Sequence, residues 1–598
     1  MATETSPRPR SATPSTIPQK RPMNLDDEQH IPAVSSPLNP DAPPSRARKA
    51  PAREQREKKE SLKKREAKGV DTTRSSTPDA QPNTKRSKKV EKPPDVVRPV
   101  RYYTKPPSQS DFDAPRPPVF NPVLTKANRD FNECFEHISN KKSFRYTNCI
   151  ADPAFLSSRW FRQTDAEPFE PRFSFQEASS HILFDSTGRS ITTEKGFRMA
   201  RANVCAREGR WYYECKILSG VKPPAHETSL APQSASSTDG GHVRLGWARR
   251  EANLDTPVGF DAYSYGLRDV SGQKIHLSRP KDFVPSNESF CEGDVIGLEL
   301  TLPSLALHRK VVEGSYNKAV DVSDDLDPHP AAEASDFVRD RVPIRYKGVV
   351  YFEQFEYSSS KDLEDLMNPA PSLSNAAVAA KDAAATAPPN PNHPSVALRT
   401  LPFSSIKIYK NGKLLGTPFT DLFAFLPPAS KAATQQGARD GLDDGMLGYF
   451  PAISVFRGGA AEINFGPEFW CPPSGLATRV GDDGQDADDY DMNGSAVALA
   501  PKDPKTQRQH SQGKNSRLRG MGERYVEQIA EDIVYDLIDE VDFWMLDAME
   551  NPDAAGTDGA STQKAQSAFT ATGMETVEGL TQLGGGGGEI KEIVQEEE

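Results

Sequence analysis

No apolar run in this chain approaches the ~18 residues that a membrane-crossing helix needs, so no membrane span is expected. Cysteine is scarce: six residues, Cys134, Cys149, Cys205, Cys215, Cys291 and Cys471, with no Cys-x-x-Cys pair among them. That scatter supports neither a zinc ribbon nor a dense disulfide framework, and it fits a reducing compartment. Apolar residues make up only 36% of the 598 positions, against 52 prolines. Long stretches therefore lack the apolar surface that would fold them. The N-terminus is polar and Pro-rich, unlike a secretory signal.

Enzyme signatures are also missing. No nucleophile elbow or zinc-protease motif occurs. Cys149 has no nearby His to complete a dyad, so it reads as a small buried side chain. Asp489, Asp491, Asn493 and Gly494 match the first half of a calcium loop, but Ala500 stands where the bidentate Glu belongs. Gly584–Gly588 is not followed by Gly-Lys-Ser/Thr and is no phosphate loop. No catalytic residue, metal or cofactor is expected.

What is present begins with charge. The net charge of −10 conceals 23 Lys/Arg against 13 Asp/Glu in the first 101 residues, about +10, which leaves about −20 for the rest. The basic clusters Arg46–Lys68 and Lys85–Lys92 suit nuclear import, contact with DNA or nucleosome phosphates, or both.

Alternation then marks strands. In Gly209–Leu218, Trp211, Tyr213, Cys215 and Ile217 share a face. In His242–Ala248, Val243, Leu245 and Trp247 share one, and Arg244 lies on the other. Two Trp-bearing strands of this kind would anchor a β-sandwich. Further short strands are expected near 181–184, 197–205, 263–267, 273–277, 294–302, 449–456 and 460–465. Asn411-Gly412 is the turn of a hairpin between 405–409 and 413–416. The expected fold is mainly β: an antiparallel sandwich at 179–474, with insertions near 222–241, 313–340, 358–400 and 428–445. Around it lie a disordered basic tail at 1–100, a lead-in at 101–178 packing on the sandwich, a disordered linker at 475–520, a helix at 521–550 and a disordered tail at 551–598.

Glu523–Glu550 lacks Pro and Gly. Val526, Ile529, Ile533, Leu537, Val541 and Trp544 step by three or four, with Val534 and Ile538 widening the stripe. Glu527, Glu531, Asp536, Asp539 and Glu540 are read as an acidic outer face. The helix either folds back on the sandwich or offers Ile529, Ile533, Val534, Leu537 and Val541 to a partner's groove; the long linker favours the partner.

The runs GRWYYECKI, HVRLGWA, GDVIG, IYKNG and YFPAIS…INFGP resemble a SPRY (B30.2-like) domain. FRYTNCIADP, EKGFRMARA and TPVGFDAYSYGLRD are more narrowly similar to the Ash-two/Bre-two SPRY subunits of COMPASS/MLL-type histone H3 lysine methyltransferase complexes. The resemblance covers 140–475 and 521–549, in a shorter, fungal-like form. It implies a nuclear, non-catalytic scaffold that supports lysine-four methylation by a SET-domain methyltransferase. It implies docking of a WD-repeat subunit's acidic segment at Phe197, Arg244, Pro257, Phe260 and Arg268. Phe197 and Phe260 stand where the animal pattern has Tyr, so the apolar wall remains without two hydroxyls. It also implies that the helix docks a small Dpy-thirty-like dimer. The alternative is a SPRY substrate adaptor of a ubiquitin ligase, for which no cullin-box-like helix pair or RING cysteines are seen.

Overall fold

The computed structural model describes residues 100, 106–125, 130–140, 143–153, 160–223, 240–284, 288–322, 337–367, 387–473, 476 and 517–550. The expected tails at 1–99 and 551–598, the calcium-loop and glycine near-motifs, and most of the 475–520 linker lie outside these residues.

The strands form two facing antiparallel sheets. The first has ten strands. Its path runs β1 (Val119–Leu124), β2 (Asp130–Phe135), β6 (Leu183–Phe184), β7 (Ser190–Thr192), β22 (Ala460–Asn464), β9 (Gly209–Ser219), β14 (Val295–Leu302), β18 (Ser405–Lys410) and β19 (Lys413–Thr420), with β23 (Leu518–Gly520) joined to β9. The second runs β13 (Arg279–Lys281), β12 (Lys274–His276), β11 (Ser264–Arg268), β10 (His242–Ala248), β21 (Phe450–Phe456), β8 (Arg198–Ala202) and β5 (Phe173–Ala178). The two Trp-bearing strands thus sit in opposite sheets and meet in the middle. Trp211, Tyr213 and Ile217 of β9 and Val243, Leu245 and Trp247 of β10 are fully buried in one core. Tyr213 packs edge-on to Trp247, at 5.0 Å, and its hydroxyl donates to Gly246 O at 2.6 Å. That bond satisfies the one polar atom the ring brings inside.

The other face of β9 is also covered. Glu214 is buried and accepts from Trp470 N (2.6 Å), Cys471 N (2.9 Å) and the Tyr212 hydroxyl (3.2 Å). Burial pushes its pKa up despite these donors. The chain after β22 is thereby fastened over β9, and β23 adds to it in parallel, with Arg519 stacked 4.0 Å over Trp211.

The lead-in supplies β3 (Phe144–Ala151) and β4 (Phe161–Gln163) to a third sheet of four strands, which β15 (Arg341–Tyr346) and β16 (Val349–Phe355) complete. A buried ion network bolts it to the second sheet. Arg145 pairs with Asp444 at 3.0 Å, while Glu177 accepts from Arg201 (3.1 Å) and Arg250 (2.8 Å). The 428–445 stretch is described throughout; it includes β20 (Lys431–Ala432), paired with β17 (Tyr357–Ser358), and supplies Asp443 and Asp444 to Arg207 and Arg145.

Helix α1 (Leu305–Glu313) was not expected; Ser304 caps its start through Leu307 N and Gly314 ends it at φ 83. Helix α2 (Lys361–Met367) lies in the 358–400 stretch. Four sheet-edge strands carry a proline: Pro122, Pro418, Pro280 and Pro343. A proline cannot donate to an added strand, so these edges resist strand addition and leave faces as docking surfaces.

Candidate docking sites

The second sheet presents a cationic notch on its outer face. Alternation in β10 turns Val243, Leu245 and Trp247 inward and Arg244 outward. The register sets Arg268 directly across from Arg244 on one side and Ser454 on the other. Phe197, just before β8, lies under the Arg244 guanidinium at 4.5 Å and packs on Phe456 at 4.8 Å.

Asp269 is buried beneath this face but already engaged. It accepts from Val243 N (3.0 Å) and Val270 N (2.8 Å) and pairs with His242 (3.1 Å). The His242–Asp269 bond raises the His242 pKa against the opposing effect of burial. Arg268 donates to Gln273 Oε1 at 2.7 Å, a neutral partner. Among the described residues Arg244 has no ion pair; its guanidinium rests on the Phe197 ring. Burial lowers its pKa to about 10, and Arg268 adds to the fall against Asp269. It stays cationic at neutral pH. Two adjacent guanidiniums with no ion pair among the described residues can hold an anion, and carboxylates match their fork geometry.

Pro257 and Phe260 lie on the neighbouring turn, closed by Phe260 N donating to Pro257 O at 3.0 Å. Val258 N donates to Ser454 Oγ at 3.0 Å, which holds this turn on the outer face. Val258 also covers Gly246, where a side chain would collide with Tyr265 O. Phe260 is half exposed and makes no ring contact with the Phe197–Phe456 pair.

The second site is α3 (Met521–Glu550). Met521 and Tyr525 enter the sandwich core. Gln528 bridges Cys205 N (3.2 Å) and Asn203 O (3.1 Å), and Arg524 donates to Cys205 O at 3.1 Å. Further along, Gln163 of β4 donates from its backbone N to Asp536 (3.0 Å) and from Nε2 to Asp532 (2.9 Å). Arg339 reaches Asp536 (3.2 Å) and Asp539 (2.9 Å); Arg341 of β15 binds Asp536 and reaches Asp539 at 3.0 Å.

This corrects the reading of Asp536, Asp539 and Glu540 as an outer face: all three are buried against the body, and two arginines await Asp536 and Asp539 there. Burial raises the Asp532 pKa to about 7, with Arg339 opposing. The apolar stripe is left outside. Ile529, Ile533, Val534, Leu537 and Val541 are 40–58% exposed, and Val526, Trp544 and Met545 extend the stripe. Trp160 from the lead-in meets Trp544 at 6.2 Å. One face of the helix folds back and the opposite face stays open, so the two alternatives drawn from sequence are not exclusive.

No family model matches the chain. Among curated proteins, "COMPASS component cclA" of Colletotrichum higginsianum is 50% identical over 554 residues, covering 91% of each chain. The Emericella nidulans protein of the same name is 40% identical over 509 residues, 82% of this chain and 74% of that one. "Set1 complex component ash2" of Schizosaccharomyces pombe is 35% identical over 448 residues, 74% of this chain and 52% of that one.

The chain belongs to the fungal COMPASS-component family. In this COMPASS-family chain, the SPRY-type sandwich brings Phe197, Arg244 and Arg268 together and sets Pro257 and Phe260 on the turn beside them. Sequence reasoning missed His242, Phe456 and Arg457 at the same notch. The register that pairs His242 with Phe456 was their only signal, and it joins positions far apart in the chain.

Proposed function

We propose that this chain is a non-catalytic subunit of a histone H3 lysine-four methyltransferase complex that works by docking two partners. The observation that carries the reading is the orientation of α3: Asp536 and Asp539 are taken up by Arg339 and Arg341, and its apolar face is presented to solvent along the described helix. A surface helix normally buries that stripe. An open one fits a partner groove or a small helical dimer, anchored at Ile529, Ile533, Val534, Leu537 and Val541. Full burial of such a side chain is worth about 1.5–3 kcal/mol. These are already half covered, so each adds about 1 kcal/mol on docking.

The notch at Arg244 and Arg268 takes an acidic segment of a WD-repeat subunit. By holding that subunit against the SET-domain methyltransferase, the chain favours the active arrangement of the complex, a coupling typically worth 1–3 kcal/mol. The names of the relatives place those proteins in COMPASS and Set1 complexes, which supports this reading and a nuclear location. Nucleosomal DNA contact belongs to the basic tail, outside the described residues.

Pull-down from nuclear extract with wild-type and Leu537→Glu chains tests the helix. The substitution should release a small helical partner while the WD-repeat subunit stays bound. Retention of every partner, or recovery of a cullin in place of methyltransferase subunits, contradicts the proposal.

A further inference from the structure

The notch is longer than the five residues that the resemblance places there. Arg244 Cζ lies 4.5 Å from the Phe197 ring, Phe197 lies 4.8 Å from Phe456, and Arg457 Cζ lies 5.1 Å from Phe456. The rings are tilted by 35°, and His242 approaches the Phe456 ring at 6.0 Å. Each ring of this tilted pair therefore carries its own guanidinium within cation–π range. Arg457 is exposed and has no ion pair among the described residues.

The backbone holds Arg457 in this place. Its φ is 45°, a left-handed conformation that a non-glycine residue adopts at a cost. Three hydrogen bonds fix the turn: Arg457 N to Lys195 O (2.9 Å), Gly458 N to Thr193 O (2.7 Å) and Gly459 N to Phe456 O (2.9 Å). They also bring exposed Lys195 alongside. Glu194 in the same turn has contacts of its own.

We propose that Arg244, Phe197, Phe456 and Arg457 form one receptor for a doubly acidic extended peptide. One carboxylate pairs with Arg244, a second with Arg457, and an apolar side chain between them covers the two rings. The three spacings of 4.5, 4.8 and 5.1 Å limit the guanidinium carbons to about 14 Å apart. At about 3.3 Å per extended residue, the two acids stand no more than about four positions apart. Arg457 is thus a specificity residue that reads acid spacing. This rests on the acidic-segment reading of the notch.

The test uses the full chain and fluorescein-labelled synthetic peptides at low ionic strength, read by fluorescence anisotropy. The parent peptide has glutamates four positions apart around a central leucine, in a Ser/Gly background. Three others replace the first glutamate by Gln, replace the second by Gln, or separate the pair by ten positions. Arg244→Gln and Arg457→Gln should each weaken the parent about fivefold, as loss of one exposed pair does. Arg457→Gln should not weaken one of the two single-glutamate peptides, and Arg244→Gln should not weaken the other. On the wide-spaced peptide the two losses should no longer combine. If Arg244→Gln weakens binding and Arg457→Gln changes nothing, the receptor ends at Phe197 and the proposal is wrong while the notch survives. If neither variant weakens any peptide, the acidic-segment reading fails with it.

Discussion

Removing the acids that hold α3 down should detach the helix without unfolding the sandwich. The perturbation is Asp536→Ala with Asp539→Ala. The Arg339 and Arg341 side chains are 1% and 7% exposed, and their carboxylate partners 6% and 7%. The guanidiniums also lie over rings, Arg339 at 5.3 Å from Tyr535 and Arg341 at 4.1 Å from Phe352. Water cannot replace the lost carboxylates without opening this contact. Breaking a buried pair from one side costs about 3–5 kcal/mol, because the remaining charge is left uncompensated. The lower figure corresponds to about a 150-fold rise in the opening constant of the docked helix. Native-state hydrogen exchange reads this directly. Amides of α3 should lose about two orders of magnitude of protection, while those of β9 and β10 keep theirs. Replacing Arg339, Arg341, Asp536 and Asp539 together by apolar residues of similar volume should restore most of the protection. Unchanged exchange in α3 after the double Asp substitution would refute the clamp.

Three further outcomes follow from named contacts. Asp532 has a docked pKa of about 7 against an ordinary 3.8, so the docked helix binds a proton that the free helix releases. Docking should therefore weaken as pH rises from about 4 through 7, and Asp532→Asn, which can still accept from Gln163, should flatten that slope and stabilise the helix at pH 8; an unaltered slope in exchange measurements would contradict this. Gly246→Ala puts a Cβ 1.9 Å from Tyr265 O and should lower the melting temperature by forcing β10 from β11, with a cost of at least about 1–3 kcal/mol; a wild-type melting curve would show that the strands yield freely. Leu537→Glu should leave the melting curve unchanged, since that side chain is 52% exposed; a large loss would mean that the stripe supports the fold itself.

The sandwich was legible because its central strands bury one face against the opposite sheet and keep the period of two that a sequence shows. The lead-in sheet was not. Strand β3 is covered on both faces, so FRYTNCIA shows no alternation, and its partner lies some 200 residues away, Asn148 opposite Tyr351. Helix α1 had a readable start and stop in Ser304 and Gly314, but it is short and directly follows a strand. The period of α3 was plain, yet its orientation was not. Stripe rules turn apolar residues inward, and here two arginines from β15 and its approach invert the choice. At the notch, alternation alone set Arg244 outward. Phe456 and Arg457 reach it through strand pairing, which no local window contains.

The central claim is that this chain acts by docking through a cationic notch. Histone H3 lysine-four methylation by the reconstituted complex, compared between wild-type and Arg244→Glu chains of equal melting temperature, tests it most directly. The account predicts a clear fall in methylation that excess variant chain partly restores. Full activity at limiting concentrations of the Arg244→Glu chain would contradict it.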